Sequence, residues 1–144
     1  MTAEDTERFL LRVPARARYL CRLRSFFKGV LEDFGLDDAG DLVLALDESC
    51  ANVLKHRPAR GPRDDLRVEA EVRKGFVRFR IADFCCAGDV PAIKPRSLDA
   101  VRPGGLGTHF VQKIVDRVDY EPDDDHGDRL TLVLEKSWEP KGRP

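Results

Sequence analysis

Long apolar runs are absent from the sequence. No segment approaches the roughly 20 consecutive apolar residues that a membrane-spanning helix requires. Residues 1–5 (MTAED) also lack the basic start and the apolar stretch of a secretory signal peptide. We therefore expect a cytoplasmic protein that has no membrane partner.

An excess of charge of either sign is also absent. The chain has 25 basic and 26 acidic residues, which gives a formal net charge of -1. Such a chain produces no overall field that would attract a nucleic acid or an anionic membrane. We expect no direct nucleic-acid partner, and any charged partner must be bound by a local patch.

Metal-ligand spacing is missing too. The four cysteines form no CxxC pair, and the three histidines are spread along the chain without ligand spacing. Cys85 and Cys86 are adjacent, which leaves open a redox or metal sensor, although two small apolar side chains beside a strand are the simpler interpretation. We expect reduced thiols and no metal site built from cysteines and histidines.

The apolar content of the chain is ordinary for a folded domain. Hydrophobic residues make up 42% of 144 positions, enough to bury one core. We therefore expect a single domain over residues 1–144, with a polar carboxyl-terminal tail from about residue 137. Near the amino terminus, the pattern predicts a strand at residues 9–13, a helix over 19–34 that Gly35 ends, and a second helix that begins near Asp37 and Asp38 and reaches about His56.

The second half of the chain is richer in strand patterns. Apolar residues alternate on both sides of Lys74 and Gly75, which predicts a hairpin. A helix over residues 108–117 and a closing hairpin built from 118–120 and 130–134 follow. This order favours an α+β fold, a two-layer sandwich of a mainly antiparallel sheet covered on one face by helices. It does not fit a doubly wound parallel sheet.

One polar stripe on the second predicted helix has the residue types of a phosphoryl-transfer site. Glu48, Asn52 and His56 recur every four residues and share one side of the helix. Mg²⁺ prefers hard oxygen ligands, and a nucleophilic hydroxyl needs a base within hydrogen-bond reach. Taken alone, the stripe is more typical of a solvated polar helix surface.

Two further features extend this site. Asp83 ends an alternating strand pattern, where a carboxylate can accept a hydrogen bond from the exocyclic amine of adenine or can simply start a turn. A glycine-rich segment precedes the third predicted helix, where free backbone amides favour phosphate. It has neither the GK[ST] of a Walker A loop nor the preceding strand of a Rossmann fingerprint, and a plain flexible linker is the alternative.

The ordered features together resemble the four nucleotide-binding boxes of the GHKL ATPases, whose domain has the Bergerat fold. The boxes are ExxxN, a strand-end Asp, GGxG before a helix, and GDRLTL at residues 127–132. More narrowly, LALDESCAN at residues 44–52 and RPGGLG at 102–107 are similar to the helix and the short lid of the bacterial anti-sigma-factor serine/threonine-protein kinases.

This resemblance implies a function and a set of site residues. It implies that Glu48 is the catalytic base and that Asn52 binds Mg²⁺. The remaining residues that it implies for the ATP site are His56, Asp83, Gly88, Arg102, Gly104, Gly105, Gly107, Thr108 and Thr131. The implied partners are an anti-anti-sigma (STAS-type) protein as substrate, a sigma factor, and a second copy of the chain in a homodimer.

The adenine box departs from the family pattern. Cys85 and Ala87 stand at two positions that are usually glycine, and Gly88 comes one position late. A side chain at a position that needs a positive φ costs roughly a kcal/mol or more. Three alternatives therefore accompany the kinase hypothesis. They are a binding module of the same fold with weak or no kinase activity, a GHKL kinase acting on a non-sigma phospho-switch, and an α+β domain in which the motifs are coincidental.

Overall fold

Five strands, three α-helices and one short 3₁₀ helix form the described part of the protein. The structure is a computed structural model and describes residues 5–56, 61, 64–82, 106–122 and 130–139. The elements are, in chain order, strand β1 (Glu7–Pro14), a short 3₁₀ helix (Ala17–Tyr19), helices α1 (Leu20–Asp33) and α2 (Gly40–His56), strands β2 (Asp65–Arg73) and β3 (Phe76–Ala82), helix α3 (Leu106–Ile114), and strands β4 (Arg117–Pro122) and β5 (Leu130–Ser137). The predicted order of strands and helices is confirmed.

The strands form one antiparallel sheet in the order β1-β2-β3-β5-β4. Side chains alternate between its two faces, as the period of two along a strand requires. The inner face is apolar and packs against the helices; its fully buried members include Val68, Ala70, Phe79, Ile81 and Leu134. The outer face bears most of the charged side chains of the strands. The predicted α+β sandwich is therefore confirmed.

Two glycines set the chain reversals that the sequence predicts. Gly75 has a φ of 87° in the turn between β2 and β3, where Arg73 pairs with Phe76. Gly35 has a φ of 89°, and the amide of Leu36 donates to the carbonyl of Leu31 at 3.1 Å, the bond that closes a Schellman motif after α1. L-residues with a side chain rarely adopt such φ values, so glycine suits both positions.

Two helix boundaries differ from the predicted ones. Helix α2 begins at Gly40, two residues after Asp38, because the carbonyl of the buried Ala39 accepts its first helical hydrogen bond, from Val43 at 2.8 Å. Helix α3 occupies residues 106–114 instead of 108–117. It ends before Arg117 because that residue pairs with Glu135 at the start of β4.

The helices lie side by side over the inner face of the sheet. Helix α1 packs against α2, and α2 packs against α3. Phe27 of α1 meets Phe79 of β3 edge to face, with ring centroids 5.3 Å apart, and both side chains are fully buried. In the described ranges, none of the helices has the length and apolar character to cross a membrane.

Candidate functional site

The predicted stripe on α2 is present as a continuous side of one helix. Glu48 and Asn52 are half-buried, and His56 is exposed at the helix end. The stripe lies apart from the core side of α2, which includes Leu42, Leu46 and Cys50. A carboxylate and a carboxamide one turn apart are therefore held on a rigid helix at the border between core and solvent.

The buried polar side chain beneath this stripe has a hydrogen-bond partner. The Ser49 side chain is 3% exposed, and its hydroxyl donates to the carbonyl of Ala45 at 2.9 Å. Burial, with a smaller contribution from the negative charge of Asp47, raises the pKa of the Cys50 thiol well above its usual range. Cys50 therefore stays protonated and acts as a packing residue, not as a nucleophile.

Helix α3 lies beside α2 and carries two of the predicted phosphate-site residues. It begins at Leu106, so Gly107 and Thr108 belong to its first turn. The first amides of a helix have no partner within the helix, and the positive end of the helix dipole lies there. Val111 and Val115 are buried against the core and fix α3 next to α2. Tertiary packing thus brings together the helix with Glu48 and the helix that follows the glycine-rich segment.

The strand register places Thr131 away from the other predicted site residues. Thr131 of β5 pairs with Ala82 of β3 and with Glu121 of β4. Its neighbours in β5 on the inner face are Leu132 and Leu134, so Thr131 itself belongs to the outer face. Helix α2 covers the opposite face. The register therefore places Thr131 and helix α2 on opposite faces of the sheet.

Several predicted residues lie outside the described part of the chain. They are Asp83, Gly88, Arg102, Gly104 and Gly105. Cys85 and Ala87, which depart from the family pattern, are among the same undescribed residues. Ala82, the residue before Asp83, is the last described residue of β3.

One charged contact next to the stripe has no counterpart in the sequence-based prediction. Asp47, adjacent to Glu48, accepts a hydrogen bond from Arg24 of α1, with 2.8 Å between Nη1 and Oδ1. The two residues are 23 positions apart in the chain. The sequence offers one indirect sign of this contact. The stretch between Arg8 and Leu31 contains several arginines and no acidic residue, so an ion-pair partner for an arginine of α1 has to come from another segment.

The donor set around the stripe fits a magnesium ion carried by a nucleotide. Within the described ranges, no group of three or more His, Cys, Asp or Glu side chains is arranged to hold a metal ion. Mg²⁺ usually keeps several waters and takes only one or two protein oxygens in addition to the phosphates of its nucleotide. The carboxamide oxygen of Asn52 is a suitable single ligand of that kind.

Comparison with known proteins agrees with this geometry. Residues 13–134 match the histidine kinase-like ATPase domain, a match that runs from the end of β1 into β5 and includes the three α-helices. The chain is also similar to the serine-protein kinase RsbW of Staphylococcus aureus, in strains RF122 / ET3-1, MRSA252 and JH9. Each of these relatives is 27% identical over 119 residues, which covers 75% of this chain and 75% of the relative. The chain belongs to the family of histidine kinase-like ATPase domains.

Proposed function

We propose that this protein is an ATP-dependent serine/threonine-protein kinase and anti-sigma factor, formed by a single cytoplasmic domain. It phosphorylates an anti-anti-sigma (STAS-type) protein and sequesters a sigma factor. The observation that carries the proposal is the placement of Glu48 and Asn52 on one side of α2, the helix that packs against α3. The family membership and the similarity to serine-protein kinases support it.

The proposed chemistry needs few protein groups. Glu48 accepts the proton of a substrate serine or threonine hydroxyl. The hydroxyl oxygen forms a bond to the γ-phosphorus of ATP, and the bond from that phosphorus to the bridging oxygen of ADP breaks. Asn52 holds Mg²⁺, which neutralises charge on the phosphates when it is bound. Such sites accelerate phosphoryl transfer mainly by positioning and electrostatic stabilisation.

The two ends of the nucleotide are assigned to different segments. The backbone amides of Gly105, Gly107 and Thr108 bind phosphate, together with Gly104 and Arg102, and His56 approaches from the end of α2. Asp83 receives the adenine amine. Gly88 completes the adenine side in this proposal.

Phosphorylation supplies the regulatory step. A phosphate group adds about -1.5 to -2 charges to the substrate at neutral pH, enough to disrupt an interface with this protein. The released kinase is then free to bind the sigma factor. The result is partner switching.

A homodimer is part of the same proposal. Among the described residues, strand β1 is at one edge of the sheet, and an edge strand can pair with another chain. Apolar side chains are exposed next to this edge: Leu10 is 54% exposed on β1, and Phe26 is 38% exposed on α1. The Phe26 ring lies edge to face with that of Phe9, with centroids 6.3 Å apart. Light scattering of the wild type and of Phe26→Ser should show a dimer that the substitution weakens.

The sequence at the adenine box favours a second candidate. Cys85 and Ala87 replace glycines of the family pattern. A chain with a weakened adenine site is a regulatory module that binds its protein partners without phosphorylating them. An assay of phosphate transfer to a partner protein separates this candidate from the kinase.

Two measurements test the proposal. The first is titration with a fluorescent ATP analogue in the presence and absence of Mg²⁺, on the wild type and on Asn52→Ala. Saturable, Mg²⁺-dependent binding that Asn52→Ala loses is the expected result.

The second measurement is transfer of radiolabelled phosphate from ATP to a purified STAS-type protein. Glu48→Gln should retain nucleotide binding and lose this transfer. Partner binding without any transfer by the wild type would contradict the kinase and support the regulatory module. Transfer only to a phospho-switch protein unrelated to sigma factors would redirect the proposal to that substrate.

A further inference from the structure

Two adjacent carboxylates occupy the turn of α2 that carries the proposed base. Successive residues of an α-helix are about 100° apart around its axis, so Asp47 and Glu48 point in different directions. Glu48 belongs to the stripe with Asn52. Asp47 faces the neighbouring helix α1, and its side chain is 14% exposed.

Asp47 is neutralised by α1. The Arg24 guanidinium donates to the Asp47 carboxylate at 2.8 Å, and the Arg24 side chain is 44% exposed. The charge of Asp47 also reaches the interior of α2, since it adds to the effect of burial in raising the pKa of Cys50. Without Arg24, the negative charge of Asp47 would therefore act on the other groups of this helical turn.

Glu48 differs from Asp47 in its contacts. No hydrogen bond or ion pair joins Glu48 to another described residue, so its carboxylate is the one that remains available on this turn. The polyphosphate of ATP is strongly anionic, and a second free carboxylate next to Glu48 would repel it.

We propose that Arg24 is a positioning residue that neutralises Asp47, so that α2 presents a single free carboxylate, Glu48, to the nucleotide. The inference rests on the proposed function, because it concerns the binding of MgATP at the α2 stripe. It assigns a role to a residue of α1 that lies outside the nucleotide-binding motifs.

Charge substitutions distinguish neutralisation from simple clamping of the two helices. Arg24→Gln should weaken MgATP binding about threefold or more at low ionic strength, and less at high ionic strength, because it leaves Asp47 unpaired. Asp47→Asn should leave the affinity close to that of the wild type. The double variant Arg24→Gln/Asp47→Asn should recover the loss caused by Arg24→Gln, and Arg24→Lys should retain most of the wild-type affinity because it keeps the positive charge.

The matched control is Arg22→Gln, which removes the same charge from an exposed position of the same helix. It should leave the MgATP affinity near that of the wild type. Thermal melting followed by circular dichroism verifies that each variant is folded at the temperature of the titration.

Three results would overturn the inference. If Asp47→Asn weakens binding as much as Arg24→Gln and the double variant does not recover, the pair only clamps α1 to α2. If Arg22→Gln has the same effect as Arg24→Gln, the cause is the general charge of α1. If the folded wild type does not bind MgATP at all, the proposed function fails and the inference fails with it; in the first two cases the proposed function stands.

Discussion

Ala82 of β3 and Thr131 of β5 are antiparallel partners on the outer face of the sheet. Arg67 of β2 and Glu121 of β4 continue this row on either side. The helices cover the other face, so the row is separated from Asn52 by the sheet itself. We therefore leave Thr131 out of the proposed ATP site.

Replacing Thr131 tests this assignment. Thr131→Val keeps the shape of the side chain and removes its hydroxyl, so MgATP affinity should stay within about twofold of the wild type if the hydroxyl makes no contact with the nucleotide. The measurement is titration with the fluorescent ATP analogue. Asp83→Asn is the comparison variant, and its affinity should fall about tenfold or more, because a charge-assisted hydrogen bond to adenine is lost. A comparable loss in Thr131→Val would return Thr131 to the site.

The contact between Phe27 and Phe79 joins α1 to the centre of the sheet. Both rings are fully buried, so Phe27→Ala should lower the free energy of unfolding by about 3 to 5 kcal/mol. Chemical denaturation measures this change. Phe26→Ala is the comparison variant, since the neighbouring ring is 38% exposed, and it should cost less, about 1 to 2 kcal/mol. Similar losses of unfolding free energy in both variants would mean that the contact between Phe27 and Phe79 contributes no more than the exposed ring.

Two glycines should respond in opposite directions to replacement by alanine. Gly75 has a φ of 87°, and its carbonyl accepts a hydrogen bond from the amide of Trp138 at 2.9 Å. Gly75→Ala should therefore destabilise the fold by about 1 kcal/mol. Gly29 lies inside α1, and a Cβ there would meet no atom within 4 Å. Gly29→Ala should stabilise the fold by about 0.5 to 1 kcal/mol, because alanine has the higher helix propensity. Thermal unfolding shows whether each variant is more or less stable than the wild type.

Glu135 should make the stability of the protein depend on pH. Partial burial raises the pKa of Glu135, but hydrogen bonds from Arg78 and Arg117 outweigh it and hold this pKa below its usual range. The bonds are 2.6 Å and 2.8 Å long, and the Glu135 side chain is 15% exposed. A lowered folded-state pKa stabilises the protein above the unfolded-state pKa of about 4.3, and this contribution disappears as the pH falls through the folded-state value.

Glu135→Gln should consequently cost about 1 kcal/mol at pH 7, and the difference from the wild type should shrink below about pH 4. Denaturant unfolding at a series of pH values measures it. Glu139→Gln removes an equal charge from an exposed position and should have little effect at any pH. A difference for Glu135→Gln that stays constant down to acidic pH would contradict an ionic origin.

Much of the fold follows from local patterns in the sequence. The i, i+4 spacing of Leu23, Phe27 and Leu31 is enough to predict α1 and its buried side, and the alternation of Val68, Ala70 and Val72 predicts the inner face of β2. The stripe of Glu48, Asn52 and His56 is predictable for the same reason, because it needs only one helix. Two boundaries are less predictable from these patterns, because α2 begins with the hydrogen bond that Ala39 accepts and β4 begins where Arg117 pairs with Glu135.

The sequence by itself therefore determined the elements, the polar stripe and the family to which the chain belongs. Only the tertiary structure decided the face of Thr131 and the partner of Asp47. Leu132, Val133 and Leu134 are all buried, so the local pattern in β5 does not distinguish its two faces, and a shift of one residue exchanges them. Pairing between distant segments removes this ambiguity, as it does for Arg24 and Asp47, whose contact exists only because α1 packs against α2.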